Sequence, residues 1–476
     1  MNPSSPSLSR RDFLRDSGRL AAVSALAGVT LPHVHAAGSD LIRVALVGCG
    51  GRGTGAAGQA LSTTSGPIRL TAMADLFAPR LASSHARLTQ QFAAAPGQVE
   101  VPPERQFIGL DAYRAAMDSL RPGDIVILAT PPAFRWVHFT YALSKRLHVF
   151  MEKPLTVDGP TSRRMLGLGE EATRLNRKVG VGLMCRHCRA RGELAERIRQ
   201  GEIGDILYMR AYRQHGPVGS FSSPPKPADR SHLLYQIERF HSFLWASGGA
   251  YSDYYIHNID ECSWMKGSWP VQARSSGGRH YRGDSVDQNF DVYSTEFTYA
   301  DGSRLFLEGR CMTGAHTEHS STAHGTKGLA VISEKGHLPS LARIYRGHNK
   351  VPQDLAWAYP QPEPKPYQLE WDDLVDAIRQ DRPYNEVRRG VEASLVTSMG
   401  RMAAHTGRII TYDEMLNCDH EFAPGLDKLT VDSPAPLQPL EDGRYPVPQP
   451  GIQTRREYGP VVAEVPPPAP ARKKRT

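Results

Sequence analysis

From Leu41 onward the chain alternates short apolar runs with stretches whose apolar residues recur at helical spacing. The runs at 41–47, 68–74, 125–129 and 148–151 are too short for helices and show little polar alternation, as expected of strands buried on both faces. Helical patterns fill the gaps at 56–61, 79–92, 112–120 and 136–145, giving the β-α-β rhythm of a parallel sheet. Right-handed crossovers then predict a doubly wound domain.

After about Asp158 the rhythm changes. Helices at 162–175 and 193–200 flank a strand at 178–183. Longer strands follow at 206–214, 271–277, 289–299, 304–308, 327–333 and 342–346, parted by turns such as Asp301-Gly302. That pattern predicts a mostly antiparallel sheet with helices on one face. Two late helices are expected at 371–379 and 386–405. Beyond about Glu421 the text is proline-rich and aperiodic, an arm that wraps another surface or stays mobile. The expected class is α/β: an N-terminal doubly wound Rossmann domain plus an α+β domain with a large, mostly antiparallel sheet. The divisions are a leader over 1–38, a dinucleotide-binding domain over 39–158, a substrate and oligomerisation domain over 159–420, and a C-terminal arm over 421–476. An exposed face on the larger sheet would suit a homo-oligomer, a dimer first.

Composition agrees with two folded domains: 476 residues, 40% hydrophobic and 22% charged. The net charge of +8 owes much to the ends, where Arg10, Arg11, Arg15 and Arg19 precede the fold and Arg472, Lys473, Lys474 and Arg475 close the chain. No basic, aromatic-interleaved face lies between them, which argues against a nucleic-acid partner. Six cysteines make no disulfide framework, and Cys185-x-x-Cys188 lacks the second pair that a four-ligand zinc site needs.

The first residues read as a targeting segment. Ser9-Arg10-Arg11-Asp12-Phe13-Leu14 is followed by an apolar run over 20–31 and then by Val34-His35-Ala36, the order of a basic region, a short apolar region and a small-residue cut site. Paired arginines address the twin-arginine exporter, which predicts a periplasmic or cell-envelope location. The apolar run is short for a bilayer span, so no integral membrane segment is expected in the mature form. An exported dehydrogenase would keep its cofactor bound and recycle it within the site.

Four motifs carry the chemistry. Gly48-Cys49-Gly50-Gly51-Arg52-Gly53 matches G-x-G-x-x-G between a strand and a helix, where glycines let a helix N-terminus approach a pyrophosphate. Asp75 lies 22 residues past Gly53 at the end of the second strand, placed to accept from ribose hydroxyls and repel a 2′-phosphate, which favours NAD over NADP. Thr130-Pro131-Pro132 and Glu152-Lys153-Pro154 each follow a strand at the carboxyl edge of the sheet, where the cofactor crevice of such a fold lies. Lys153 there could stabilise negative charge on a substrate oxygen. Finally, 251–260 begins a helix after Gly248-Gly249, capped near Ser252 or Asp253. Asp253 and His257 share one face, so an imidazole base has a carboxylate one turn away.

In this order the motifs resemble the glucose-fructose oxidoreductase, inositol dehydrogenase and MocA (Gfo/Idh/MocA) family over roughly residues 42–416. The resemblance implies catalytic roles for Lys153, Asp253 and His257, and cofactor contacts from Gly48, Gly50, Gly51, Arg52, Gly53, Asp75, Thr130, Pro131, Glu152 and Lys153. It also implies substrate contacts from Arg186 and His187, with Tyr254 beside Asp253 as a third. The implied activity is NAD(P)-dependent hydride transfer to or from a hydroxyl-bearing carbon of a sugar or polyol. Some relatives are NAD-dependent glycoside hydrolases that oxidise a sugar transiently, and a scaffold without catalysis is a rival of another class. His316, His319 and His324 sit in a polar stretch expected to be a loop, with Glu318 the one acid nearby, and no metal site is expected there.

Overall fold

A computed structural model describes residues 40–280 and 282–459. The predicted leader therefore lies outside the described residues. The first layer runs β1 (Ile42–Val47), α1 (Gly51–Leu61), β2 (Ile68–Asp75), α2 (Ala78–Gln91), β3 (Gln106–Ile108), α3 (Ala112–Asp118), β4 (Ile125–Leu128), α4 (Arg135–Ser144), β5 (His148–Met151), α5 (Gly159–Arg174) and β6 (Val179–Val181). Its six strands pair in parallel in the order β3-β2-β1-β4-β5-β6. Strands β4 and β5 are buried at every position, so their apolar runs are what a sheet covered on both faces requires. The order reverses between β1 and β4, which opens a crevice at the carboxyl ends of those strands.

The second layer follows with α6 (Arg189–Arg199), β7 (Ile206–His215), α7 (His232–Glu238), α8 (Leu244–Ser247), α9 (Gly249–Lys266), β8 (Gln272–Gly278), β9 (Val292–Thr298), β10 (Arg304–Cys311), β11 (Glu318–Gly325), β12 (Leu329–Glu334), β13 (Arg343–Tyr345) and β14 (Leu355–Ala358). The chain then adds α10 (Pro366–Arg379), α11 (Val387–Thr406), β15 (Ile410–Thr411) and α12 (Tyr412–Asn417). The nine strands lie in the order β14-β13-β12-β11-β7-β10-β9-β8-β15. Every pairing is antiparallel except β7 with β10, which run parallel.

Three expectations are corrected here. The polar stretch holding His319 and His324 is strand β11, bonded to β7 on one side and β12 on the other. Two ladders satisfy its backbone, so it needs no apolar alternation to be held in place. Helix α9 is entered at Gly248, which has φ +74°, so Ser252 and Asp253 lie inside the helix and not at its cap. The layers also interleave more than a boundary at 158 implies, since β6 completes the first sheet and α10 returns to cover it, with Trp371 stacked on Phe150 at 4.5 Å.

The described part of the C-terminal arm packs on the chain's own body. Phe422, Leu437, Tyr445 and Tyr458 are buried in the core that also holds Val126 and Val149 of the first sheet. Glu457 is buried too, and its carboxylate accepts from Arg401 Nε at 2.9 Å and meets His405 Nδ1 at 2.6 Å. Proline-rich chain forms few ladders, but its aromatic side chains still seal apolar surface.

Candidate active site

The glycine loop after β1 is shaped by close backbone packing. Gly48 has φ +98°, and a Cβ there would lie 2.6 Å from the Ala129 carbonyl carbon beyond β4. A Cβ on Gly53 would strike the Gly48 carbonyl oxygen, whereas Gly50 and Gly51 face open space. The outer glycines thus clamp strand to helix, and the middle ones leave room for a ligand at the start of α1. No side chain caps that helix, so its first N–H groups are available to an anion. Asp75 fixes the loop from the side: its carboxylate accepts from Cys49 N–H at 2.7 Å and Phe77 N–H at 2.8 Å. Two oxygens with further lone pairs can still accept from ribose hydroxyls. These features fit a dinucleotide.

A cavity of 880 Å³ runs from this loop along the carboxyl edge of the first sheet. The glycine loop, Asp75, Thr130, Pro131, Glu152, Lys153, Asp253 and His257 all line it. The Thr130 segment is held by Arg135, which donates to the Thr130 carbonyl at 2.9 Å, and by a 3.1 Å bond between Thr130 Oγ1 and His138. Under the loop Arg52 donates to Glu152 at 2.5 Å, stacks on Tyr367 at 4.4 Å and lies 3.7 Å from Glu370. Burial and the nearby Glu152 raise the Glu370 pKa above the usual carboxyl range, against the lowering pull of Arg52.

Lys153, placed just after β5, donates to the Asp253 carbonyl at 2.8 Å and to its carboxylate at 3.1 Å. The other Asp253 oxygen lies 3.5 Å from His241 Nε2. Burial opposes ionisation of Asp253, but the Lys153 charge and the His241 contact outweigh it and hold the carboxyl well below its ordinary range. His257 follows one turn later. Burial first, then the Lys153 and Arg213 charges, press its pKa well below the usual histidine value, so the ring is neutral and free to accept a proton. Its Nδ1 is buried without a hydrogen-bond partner among the described residues. An amine, a carboxylate and a neutral imidazole thus line one cavity, the first two in direct contact.

The cavity does not take in all the sequence candidates. Arg186 is turned onto buried Asp260, donating at 2.8 Å, and lies over Trp264. His187 bridges Asp373 at 2.7 Å and Glu386 at 3.3 Å; burial opposes its charge, but the two carboxylates raise its pKa to about 9. The Tyr254 hydroxyl donates to the Val218 carbonyl at 2.5 Å. None of these three lines the cavity, and each is engaged by a protein partner beside it, which corrects their expected role as substrate contacts. His316, His319 and His324 do not converge either: His316 is exposed, His319 bonds Arg213, and His324 stacks on Tyr208. Cys185 and Cys188 are free thiols.

Sequence reasoning missed His241 and Arg213. His241 lies in an aperiodic segment between β7 and α8, and Arg213 is one of two arginines on β7. Neither has a local motif, and both matter only through partners distant in the chain.

Residues 192–331 match the model of the GFO/IDH/MocA C-terminal domain. An inositol 2-dehydrogenase from Leifsonia xyli is 28% identical over 176 residues, 37% of this chain and 42% of the relative. The rhizopine catabolism protein MocA of Rhizobium meliloti is 22% identical over 197 residues, 41% of this chain and 55% of the relative. The chain thus spans about half the length of the curated relatives it matches. Among solved structures, an aldose-aldose oxidoreductase from Caulobacter crescentus superposes with a TM-score of 0.59 at 16% identity, covering 78% of this chain and 99% of that one. A myo-inositol 2-dehydrogenase from Lactobacillus plantarum gives 0.54 at 20% identity, with the same coverage. These structures share the fold: a parallel first sheet and a mixed, mostly antiparallel second one. The chain is thus similar to Gfo/Idh/MocA proteins in part of its second domain, and shares their fold.

Proposed function

We propose that the chain is an oxidoreductase that moves hydride to or from a hydroxyl-bearing carbon of a sugar or polyol. The observation that carries this reading is the 3.1 Å Lys153–Asp253 pair sharing one cavity with His257 and the glycine loop. The loop, Asp75, Thr130 and Pro131 would hold a nicotinamide dinucleotide, which when bound supplies the hydride acceptor or donor. The Asp75 carboxylate favours NAD, since it would repel a 2′-phosphate. Relatives named inositol 2-dehydrogenase and a neighbour named aldose-aldose oxidoreductase support the substrate class.

In the oxidative direction neutral His257 takes the hydroxyl proton as the carbon–hydrogen bond breaks. The Lys153 ammonium lines the same cavity and would donate to the oxygen as charge develops on it. Asp253 anchors the Lys153 amine through its carbonyl and its carboxylate. Because His257 starts neutral, it needs no prior deprotonation. The test is single-turnover absorbance of reduced nicotinamide after mixing sugars and polyols with purified protein, bound cofactor being identified after denaturation. The absence of any change across the panel, with cofactor present, overturns the proposal.

His241 supports a second reading, redox-neutral glycoside cleavage. A second imidazole 3.5 Å from Asp253 gives the cavity another group able to move a proton, as elimination of an aglycone requires. Release of an aglycone without added acceptor favours this route. We further propose twin-arginine export to the periplasm or cell envelope, on the strength of Arg10-Arg11 and the apolar run after it.

A further inference from the structure

Beside the active cavity lies a second one of 440 Å³, lined by Arg213 and His215 at the end of β7, His319 of β11, and Lys335 in the turn after β12. The two cavities are neighbours. Val218 lines the second and Gly219 the first, and the His257, His337 and His319 rings follow one another with centroid separations of 4.5 and 4.1 Å.

Arg213 is the unusual member. Arg191 pairs with Glu261, Arg282 with Asp287 and Asp291, and Arg401 with Glu457. Arg135 donates to two backbone carbonyls instead. Arg213, by contrast, makes no ion pair among the described residues. Its Nη1 donates to neutral imidazoles, at 2.8 Å to His319 Nε2 and 3.0 Å to His337 Nε2, and its Nε is buried without a partner. Burial lowers the Arg213 pKa, and the Asp253 carboxylate, acting from a distance without an ion pair, offsets it only in part. The acid in the cavity wall, Glu318, accepts from Ser320 at 2.8 Å and lies 4.0 Å from His316. Lys335 adds a second cation at the exposed rim.

A half-buried guanidinium with a buried Nε and no ion pair among the described residues is a site prepared for an anion. We infer that this cavity binds an anionic substituent of the substrate, so that the enzyme acts on an acidic sugar, one bearing a carboxylate or a phosphate, with its reacting carbon at Lys153 and His257 and its anion at Arg213 and Lys335. The inference rests on the oxidoreductase reading for the position of the reacting carbon, but not for the binding of the anion.

The experiment is calorimetric binding to the full chain with its bound cofactor, using a hexose, the matching hexuronate and the hexose 6-phosphate as probes, in wild type, Arg213→Gln and Lys335→Gln. The expected result is that one acidic probe binds roughly 10- to 100-fold more tightly than the neutral hexose, the size of a charge-assisted hydrogen bond. That advantage should collapse in Arg213→Gln and shrink in Lys335→Gln. Which acidic probe gains identifies carboxylate or phosphate. Equal affinity for all three probes, or an advantage untouched by both substitutions, overturns the inference. If Arg213→Gln does not fold, the exposed Lys335→Gln decides alone. Nicotinamide absorbance in the same samples separates the two claims: anion binding without hydride transfer from any sugar defeats the oxidoreductase reading only, and turnover of neutral sugars with no acidic advantage defeats this inference only.

Discussion

Lys153 and Asp253 are one hundred residues apart, yet the ammonium of one donates to both the carbonyl and the carboxylate of the other, at 2.8 and 3.1 Å. The contact joins the carboxyl edge of the first sheet to helix α9, which carries His257. With Lys153→Ala, single-turnover hydride transfer should fall by about 10²–10³, the cost of removing one preorganised donor to a developing oxyanion. A rate equal to wild type on the best substrate refutes the role of Lys153.

His257 sets the acid side of the pH profile. Burial and the Lys153 and Arg213 charges keep its pKa well below the usual histidine value, so the ring remains a base as pH falls through about 6.5. Hydride transfer in the oxidative direction should therefore show no limb near that pH. A clear loss of rate centred there would mean that His257 is solvated in the working enzyme.

His187 titrates in the opposite sense. Folded, it keeps its proton up to about 9, whereas the unfolded ring loses it near 6.5. The folded state therefore binds more protons between those values, and the stability that His187 contributes is whole below about 6.5 and lost as pH rises through about 9. Urea midpoints should show His187→Asn destabilised at about pH 6 and close to wild type at about pH 10. The KM for substrate should not change, because His187 faces Asp373 and Glu386 and not the cavity.

Glu457 anchors the C-terminal arm with both side chains of its Arg401 pair nearly inaccessible, at 0% and 1% exposure. Glu457→Ala leaves a buried guanidinium without its acid, which costs about 3–5 kcal/mol. Equilibrium unfolding in urea should register that loss, and the arm should become sensitive to limited proteolysis. A change below about 1 kcal/mol would mean that the arm is held by its aromatic residues alone.

Asp75→Ala should weaken NAD binding and narrow its preference over NADP, measured by titration of cofactor-free protein. Because Asp75 also accepts from Cys49 and Phe77 N–H groups, part of the loss will reflect a loosened loop. The ratio of the two affinities is therefore the diagnostic quantity, and an unchanged ratio removes Asp75 from cofactor choice.

Much of the architecture was written locally. The apolar runs of β1, β2, β4 and β5 lie within a residue of where their periodicity places them, since a strand buried on both faces has little freedom in composition. The glycine loop was equally legible, because close approach of Gly48 and Gly53 to neighbouring backbone excludes any side chain. β11 was not: Glu-His-Ser-Ser-Thr-Ala-His-Gly carries no strand-like alternation, and its place is secured by ladders to β7 and β12 contributed from elsewhere.

The sequence alone determined the elements that make the cleft and nominated its amine, carboxylate and imidazole, because strand patterns, glycine sterics and helical spacing are short-range constraints. Only the tertiary structure decided which charges face one another: that Lys153 meets Asp253, that His241 joins them, that Arg186 and His187 are spent on internal acids, and that Arg213 makes no ion pair among the described residues. Electrostatic pairing depends on distance in space, and residues a hundred positions apart share no local pattern that could announce it.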